Sequence, residues 1–356
     1  MNSYKKIIVG MSGGVDSSVS AILLKEHGYN VSGLFMKNWE EDDDANNCNS
    51  KKDYDDALRI SKKLGINLSV VNFSDKYWDL VFKRFIDELN DGLTPNPDIY
   101  CNKEIKFNYF INYALSQNCD KVATGHYAKI NFNKNKYSLN IPKDRLKDQT
   151  YFLYMLNQKI MKDLHFPLED ITKDDVKRIV KDFDISVYKK KESMGICFIG
   201  KKNFSEFISK YINNHPGNIC NDSGLILGRH NGLFNYTIGQ RKGIKIGGLK
   251  NYSEKPWFVI KKDIIKNNLI ISQNEDKLLS SRIIHLTDTT WTREKPKEKV
   301  EYKARFRHGG KLIPVNVSLD KNNFSLNMIE LERAITPGQS AVLYKDDECI
   351  GGGIVV

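Results

Sequence analysis

The sequence predicts an α/β protein in three parts. They are an N-terminal, Rossmann-like parallel-sheet domain over residues 1–205, a small mixed domain over 206–277, and a C-terminal β-barrel domain over 278–356. Three observations carry this reading. Apolar, β-branched runs alternate with helix-patterned stretches up to about residue 125, the signature of a parallel sheet covered on both faces. The first such run breaks into glycines and then enters a helix. Past about residue 205 the helical pattern gives way to glycine-punctuated segments, and then to short alternating runs of the kind that build barrels.

Taken in order, Lys5–Val9 reads as a buried strand and Ser17–His27 as a helix stopped at Gly28. Asn30–Lys37 is the second strand, and an acidic block, Glu40-Glu41-Asp42-Asp43-Asp44, precedes a helix over about Lys51–Leu64. Leu68–Phe73 is a third strand and Asp75–Leu89 a helix with one apolar face. A Pro-rich loop, Thr94-Pro95-Asn96-Pro97-Asp98, leads to a helix over about Asn102–Ser116, then to a strand, Lys121–Thr124, ending at Gly125-His126. In open sheets of this kind ligands gather beyond the carboxyl ends of the strands, where residues 10–17, Met36 and Gly125 would meet. His215-Pro216-Gly217 ends the helical texture, and Val300–Phe306 and Ile313–Leu319 are barrel-type strands.

A chain of 356 residues is long enough for several cores. It reaches a core strand within a few residues and contains no apolar run of membrane-spanning length, so the expectation is a cytoplasmic protein with no leader and no membrane association. Its net charge of +11 points toward a polyanion. The excess concentrates in residues 141–250, with 20 Lys/Arg against 12 Asp/Glu. The six cysteines are scattered without a Cys-x-x-Cys pair, which argues against zinc, an iron–sulfur site or a secreted disulfide framework.

The break after the first strand is Gly10-Met11-Ser12-Gly13-Gly14-Val15-Asp16-Ser17. Glycines let backbone N–H groups approach an anion, and the helix N-terminus adds partial positive charge, so this is a phosphate cradle. No Gly-Lys-Ser/Thr follows, which excludes the loop that holds a transferable γ-phosphate. The pattern resembles the loop of enzymes that cleave ATP between the α- and β-phosphates, the ATP-pyrophosphatases, with Asp16 the carboxylate placed to organise the phosphates or a magnesium ion.

Two cysteines stand apart. Cys101 follows the rigid Pro-Asn-Pro loop at an expected helix start, with Lys103 and Lys106 nearby, a setting that favours thiolate. Cys197 lies between Gly195 and Gly200, close after Lys189-Lys190-Lys191. Cys119, Cys220 and Cys349 read as core packing and Cys48 as an exposed loop residue.

With these motifs in order, the chain closely resembles the tRNA-specific 2-thiouridylases over nearly its whole length. The resemblance rests on residues 10–17, Leu34–Trp39, Thr94–Asp98, Cys101–Phe107, Ala123–Tyr127, Lys147-Asp148-Gln149, Gly195–Gly200, Gly239–Gly243 and Thr336–Gln339. It implies that Gly10, Met11, Ser12, Gly13, Gly14, Val15, Asp16, Ser17, Met36 and Gly125 bind ATP. It sets Asn96, Pro97, Asp98, His126, Lys147, Asp148, Gln149, Arg307, His308 and Gln339 against the tRNA or its target base. It gives Cys101 the nucleophile role and Cys197 the persulfide-carrier role, the two ending as a transient disulfide. ATP with magnesium, tRNA (Lys, Glu and Gln acceptors) and a sulfur-donor protein are the implied cofactors and partners, without zinc or a tightly bound redox group. Ile141-Pro142 stands where the family usually shows Arg-Gly. Two other readings share the glycine loop. One is an amine-using ligase of the same loop class, which would need no reactive cysteine pair. The other is an RNA-binding module that senses ATP, which would release no AMP.

Overall fold

A computed structural model of the chain describes residues 5–40, 49–185, 203–213, 215–247, 252–274, 278–320 and 323–356. Cys48, Cys197 and the Lys189–Gly200 segment lie outside the described residues.

The N-terminal strands are β1 (Lys6–Gly10), β2 (Asn30–Lys37), β3 (Leu68–Asn72) and β4 (Lys121–Ala123). A hairpin follows, β5 (Lys129–Asn133) with β6 (Lys136–Asn140), and then a two-residue strand, β7 (Leu164–His165). Strands β1–β4 and β7 form a parallel sheet in the order β3-β2-β1-β4-β7. The run Ile7-Ile8-Val9 is wholly apolar because both of its faces are covered. Ile7 and Val9 pack with Val19 and Ile22 of helix Val15–Glu26, Ala57 and Ile60 of helix Asn49–Leu64, and Val176 and Val180 of helix Lys173–Asp182. Ile8 faces the other side, toward Phe107, Phe110, Ile111 and Ala114.

Those last residues ride on a helical path that begins earlier than the sequence led us to expect. Pro97 occupies its first position and the Asn96 side chain caps it, accepting from the Asp98 N–H at 3.2 Å. Proline at N1 after an Asn cap is a strong start signal, since its missing N–H would have had no helical partner there. The path runs Pro97–Tyr100, continues in wider π turns over Cys101–Phe110 and ends as Ile111–Ser116. A second π segment, Trp78–Phe82, interrupts the helical stretch between Ser74 and Asn90.

The middle part is a four-stranded sheet of β8 (Gly217–Asn221), β9 (Ile226–His230), β10 (Phe258–Asp263) and β11 (Asn268–Ser272) in the order β10-β11-β8-β9, with β11 and β8 parallel. Ile219, Leu233, Trp257, Val259, Leu269 and Ile271 form its small core.

The C-terminal part is a closed six-stranded barrel. Its strands are β12 (Ser280–Trp291), β13 (Glu301–Arg305), β14 (Ile313–Asp320), β15 (Asn323–Arg333), β16 (Ser340–Lys345) and β17 (Glu348–Val355), and β12 pairs with both β15 and β17 to complete the ring. Closure removes open edges. Gly351 and Gly352 permit it: a Cβ at Gly351 would lie 2.2 Å from the Thr290 carbonyl, and one at Gly352 2.3 Å from the Ala341 carbonyl. Strand β17 also pairs with β6, through Cys349↔Leu139 and Glu348↔Asn140. The N-terminal domain and the barrel therefore share one sheet, and they share a core in which Val342, Tyr344 and Cys349 pack with Leu139, Tyr151 and Tyr154.

Candidate functional site

The loop after β1 is held from within. Ser17 Oγ lies 3.2 Å from both the Ser12 N–H and the Ser12 hydroxyl and donates to the Gly14 carbonyl at 3.1 Å, and Ser18 Oγ donates to the same carbonyl at 2.7 Å. Gly14 is the N-cap of helix Val15–Glu26 and supplies no capping side chain, so the first-turn N–H groups are not capped from that position. Two glycines are required by space. Gly13 has φ +68°, and a Cβ there would fall 2.1 Å from the Asp53 carbonyl oxygen. A Cβ at Gly125 would lie 2.8 Å from the Ser17 nitrogen, which brings the end of β4 against the loop. Met11 contributes backbone to the loop and buries its side chain in the core. Met36, on β2, is half-buried between two apolar clusters.

Asp16 turns toward the helix that follows β7. Its Oδ1 accepts from the Tyr127 hydroxyl at 3.0 Å and from the Lys173 ammonium at 2.6 Å. The Lys173 side chain is 10% exposed and that of Asp16 34%. Sequence reading missed Lys173, because a contact across 157 residues leaves no spacing to find.

His126 sits beside this cluster, with Nδ1 2.7 Å from the Thr124 hydroxyl and its ring near Phe107 and Phe166. Desolvation, helped by the charge of Lys106, holds the imidazole well below its ordinary pKa, so it is neutral at pH 7. Gln149 fixes the neighbouring backbone: its Oε1 accepts from the Tyr127 N–H at 2.9 Å.

Asp148 is tied inward. Its 3% exposed carboxylate accepts from the Thr150 N–H and hydroxyl on Oδ1 and from Arg305 Nη1 at 2.6 Å on Oδ2. Asp148 thus anchors the Lys147–Gln149 loop to the barrel rather than reaching outward. Arg307 and His308 are exposed on the loop after β13. The His308 ring packs against Phe152, tilted by 38° with the ring centres 4.5 Å apart. Desolvation lowers its pKa, with the charges of Arg305 and Lys147 adding to the fall and those of Asp148 and Asp98 opposing it.

Gln339 donates from Nε2 to the Thr94 carbonyl, and the Thr94 N–H donates to the Pro337 carbonyl at 3.0 Å. The barrel thereby clamps the loop that carries Asn96, Pro97 and Asp98. One helical turn further on, Cys101 is 1% exposed. It does not begin the helix, so the expected placement of its thiol at the helix end is corrected: Pro97 starts the helix and Cys101 lies inside it. It is packed in a cluster with Tyr77, Phe82 and Ile105 of the N-terminal domain, Phe207 and Phe234 of the middle region, and Ile354 of the barrel. All three parts of the chain contribute to this cluster. Lys103, beside it, pairs with Glu104 at 3.1 Å.

Of the remaining cysteines, Cys220 and Cys349 are buried, and half-buried Cys119 donates to the Ala114 carbonyl. Burial pushes the Cys349 thiol far up. Among the described residues no group of three or more His, Cys, Asp or Glu could hold a metal ion, and no helix is long and apolar enough to cross a membrane.

Comparison with known proteins follows the same three parts. Residues 5–201 match the family described as the tRNA methyl transferase HUP domain, 205–273 its PRC-barrel domain, and 281–355 the aminomethyltransferase β-barrel domain. The tRNA-specific 2-thiouridylase of Actinobacillus pleuropneumoniae serotype 3 is 45% identical over 99% of this chain and 92% of its own. That of Proteus mirabilis is 46% identical over 99% and 98%. A solved structure, the U34-tRNA thiolase of Methanococcus maripaludis, is 20% identical with a TM-score of 0.37, covering 58% of this chain and 63% of that one.

Proposed function

The chain belongs to the tRNA-specific 2-thiouridylase family, and from that premise we propose that it is the ATP-dependent 2-sulfurtransferase of the wobble uridine in tRNA anticodons. The observation that carries the reading is the lysine-free glycine loop at the carboxyl end of a parallel sheet, with a buried cysteine in a cluster to which all three parts of the chain contribute. For this purpose the parts divide at residues 205 and 277.

A uracil C2 oxygen is a poor leaving group. Its attack on the α-phosphorus of ATP links it to AMP and releases pyrophosphate, with the loop N–H groups stabilising the departing charge. Asp16 fits a magnesium ligand through Oδ2, which makes no hydrogen bond among the described residues, and the ion would supply charge neutralisation on the phosphates. The outer sulfur of a persulfide on Cys197 then bonds to C2. The Cys101 thiolate attacks the inner sulfur and breaks the S–S bond, and AMP leaves with the oxygen. The products are 2-thiouridine and a Cys101–Cys197 disulfide, which a reductant reopens. C2 is shielded in a stacked helix, so the base must be unpaired and extruded. Neutral His126, Asn96–Asp98, Lys147, Arg307 and His308 form the surface that receives it, with Gln149 and Gln339 fixing that surface. The reading includes a cytoplasmic setting, Lys, Glu and Gln acceptor tRNAs, and a sulfur-donor protein that loads Cys197.

The test is nucleoside mass spectrometry of a tRNA pool incubated with the protein, magnesium–ATP and a polysulfide, whose sulfane sulfur loads the Cys197 persulfide. Formation of 2-thiouridine with equimolar AMP is expected. Methylated uridine, or AMP release without thiolated product, overturns the reading.

A further inference from the structure

We propose that Lys173 is the cation of the phosphate loop, contacting the phosphate oxygens that leave as pyrophosphate, with Asp16 and Tyr127 as the residues that aim it. This rests on the ATP-cleaving reading of the loop and adds a residue to it.

The glycine loop lacks a cation of its own. Loops that grip a triphosphate through backbone N–H groups commonly add a lysine that meets the phosphates as a point charge. Residues 10–18 contain no lysine or arginine and one carboxylate, Asp16. A negative side chain beside a polyphosphate repels it unless a cation intervenes. The fold brings one in from far along the chain: the Lys173 ammonium lies 2.6 Å from Asp16 Oδ1 and 5.7 Å from the centre of the Tyr127 ring.

Its placement is fixed by more than the ion pair. Lys173 is the first residue of helix Lys173–Asp182, whose start is locked by a capping box between Thr172 and Asp175. The Lys173 N–H donates to Asp144 Oδ2 at 2.8 Å, which ties the helix start to the loop ahead of Lys147. The residue is 8% exposed. Burying an ammonium carries a large desolvation cost, which a merely structural contact could avoid with an apolar residue of similar volume. Retaining the charge next to the loop is explained if it meets a ligand's charge. Because an ammonium has three donors, Lys173 can keep Asp16 while donating to phosphate.

The test uses inorganic pyrophosphate in EDTA, so that no metal bridges Asp16 to the probe, and adenosine as the control ligand, both by calorimetry on the full chain. Lys173→Met is expected to weaken pyrophosphate at least tenfold while adenosine stays within twofold, and Lys173→Arg to restore most of the loss. Because Lys173→Met leaves Asp16 without its cation, the double variant Lys173→Met/Asp16→Asn, which buries neither charge, is measured beside it and should still bind pyrophosphate several-fold more weakly than the wild-type protein. Wild-type pyrophosphate affinity in either Met variant overturns the proposal. So does an equal fall for adenosine, which would mean that Lys173 only shapes the loop, or a wild-type protein that binds no pyrophosphate without metal. The thiolation assay is separate: a wild-type protein that makes no 2-thiouridine yet shows this pattern would refute the sulfur-transfer reading and leave Lys173 in place.

Discussion

At the residue scale, the site residues divide by whether their polar atoms face inward or outward. Asp148 and Arg305 form a buried pair 2.6 Å apart, and Arg305 also lies over the Tyr344 ring. Removing one partner strands a charge, so Arg305→Met should lower unfolding free energy by about 3–5 kcal/mol in urea titrations. The double replacement Asp148→Asn/Arg305→Met should recover part of that; additive losses would show that the two groups act independently. Cys101 faces inward too. Cys101→Ser should keep ATP and tRNA affinity within about twofold in filter binding and lose 2-thiouridine formation, and normal turnover by this variant would remove the thiol from the chemistry. The motifs marked these positions as candidates, but not which way each side chain points: Asp148 and Gln149 are neighbours of half-buried Lys147 in sequence and turn inward because Arg305 and the Tyr127 backbone meet them there.

At the scale of elements, strands β1–β4 of the parallel sheet were legible because each is a short apolar run between helix signals, whereas the two-residue β7, Leu164–His165, offers no such run. The turn after the first run was equally plain, since glycine is what a close backbone approach needs. Gly125→Ala should therefore weaken ATP binding at least tenfold with a change in melting temperature smaller than that of Arg305→Met, read by calorimetry and thermal unfolding. Unaltered ATP affinity would mean that β4 does not close on the loop. The helix start at Pro97 carried its own signal, an Asn cap followed by proline, that was read as a loop. Hairpin β5–β6 was not legible. Asn131, Asn133, Lys134 and Asn135 dilute its apolar alternation, and its turn uses positive φ at Lys134 and Asn135. Its partner β17 lies more than 200 residues away, beyond any local pattern.

At the scale of the whole molecule, the three-part division was legible from texture, but the contacts joining the parts were not. The barrel supplies Val342, Tyr344 and Cys349 to the N-terminal core and Ile354 to the cluster around Cys101. Truncation after about residue 275 should accordingly do more than weaken tRNA binding. The fragment should lose cooperative unfolding and bind a hydrophobic dye; a sharp thermal transition in it would show that the N-terminal domain is self-sufficient. Acid sensitivity is a second global property. His126, His165 and His230 are each held below the ordinary imidazole value, primarily by desolvation. The unfolded chain then binds more protons than the folded one below about pH 6.5, so stability present at neutral pH falls as pH drops from there toward the folded-state values. Melting temperature should fall between pH 7 and 5, and His126→Asn should flatten the slope; a slope unchanged by that substitution would assign the effect to other groups.

The pairing of β6 with β17 also sets a timetable. Residues are added to a nascent chain at about 5–20 per second, so a gap of roughly 200 residues lasts about 10–40 s. Through that interval Leu139, Tyr151 and Tyr154 have emerged while Val342, Tyr344 and Cys349 do not yet exist, and the loop bearing Asn96–Asp98 lacks the clamp from Pro337 and Gln339. An unfinished chain thus carries every residue of the glycine loop while the Asn96–Asp98 loop still waits for the strands that hold it in place.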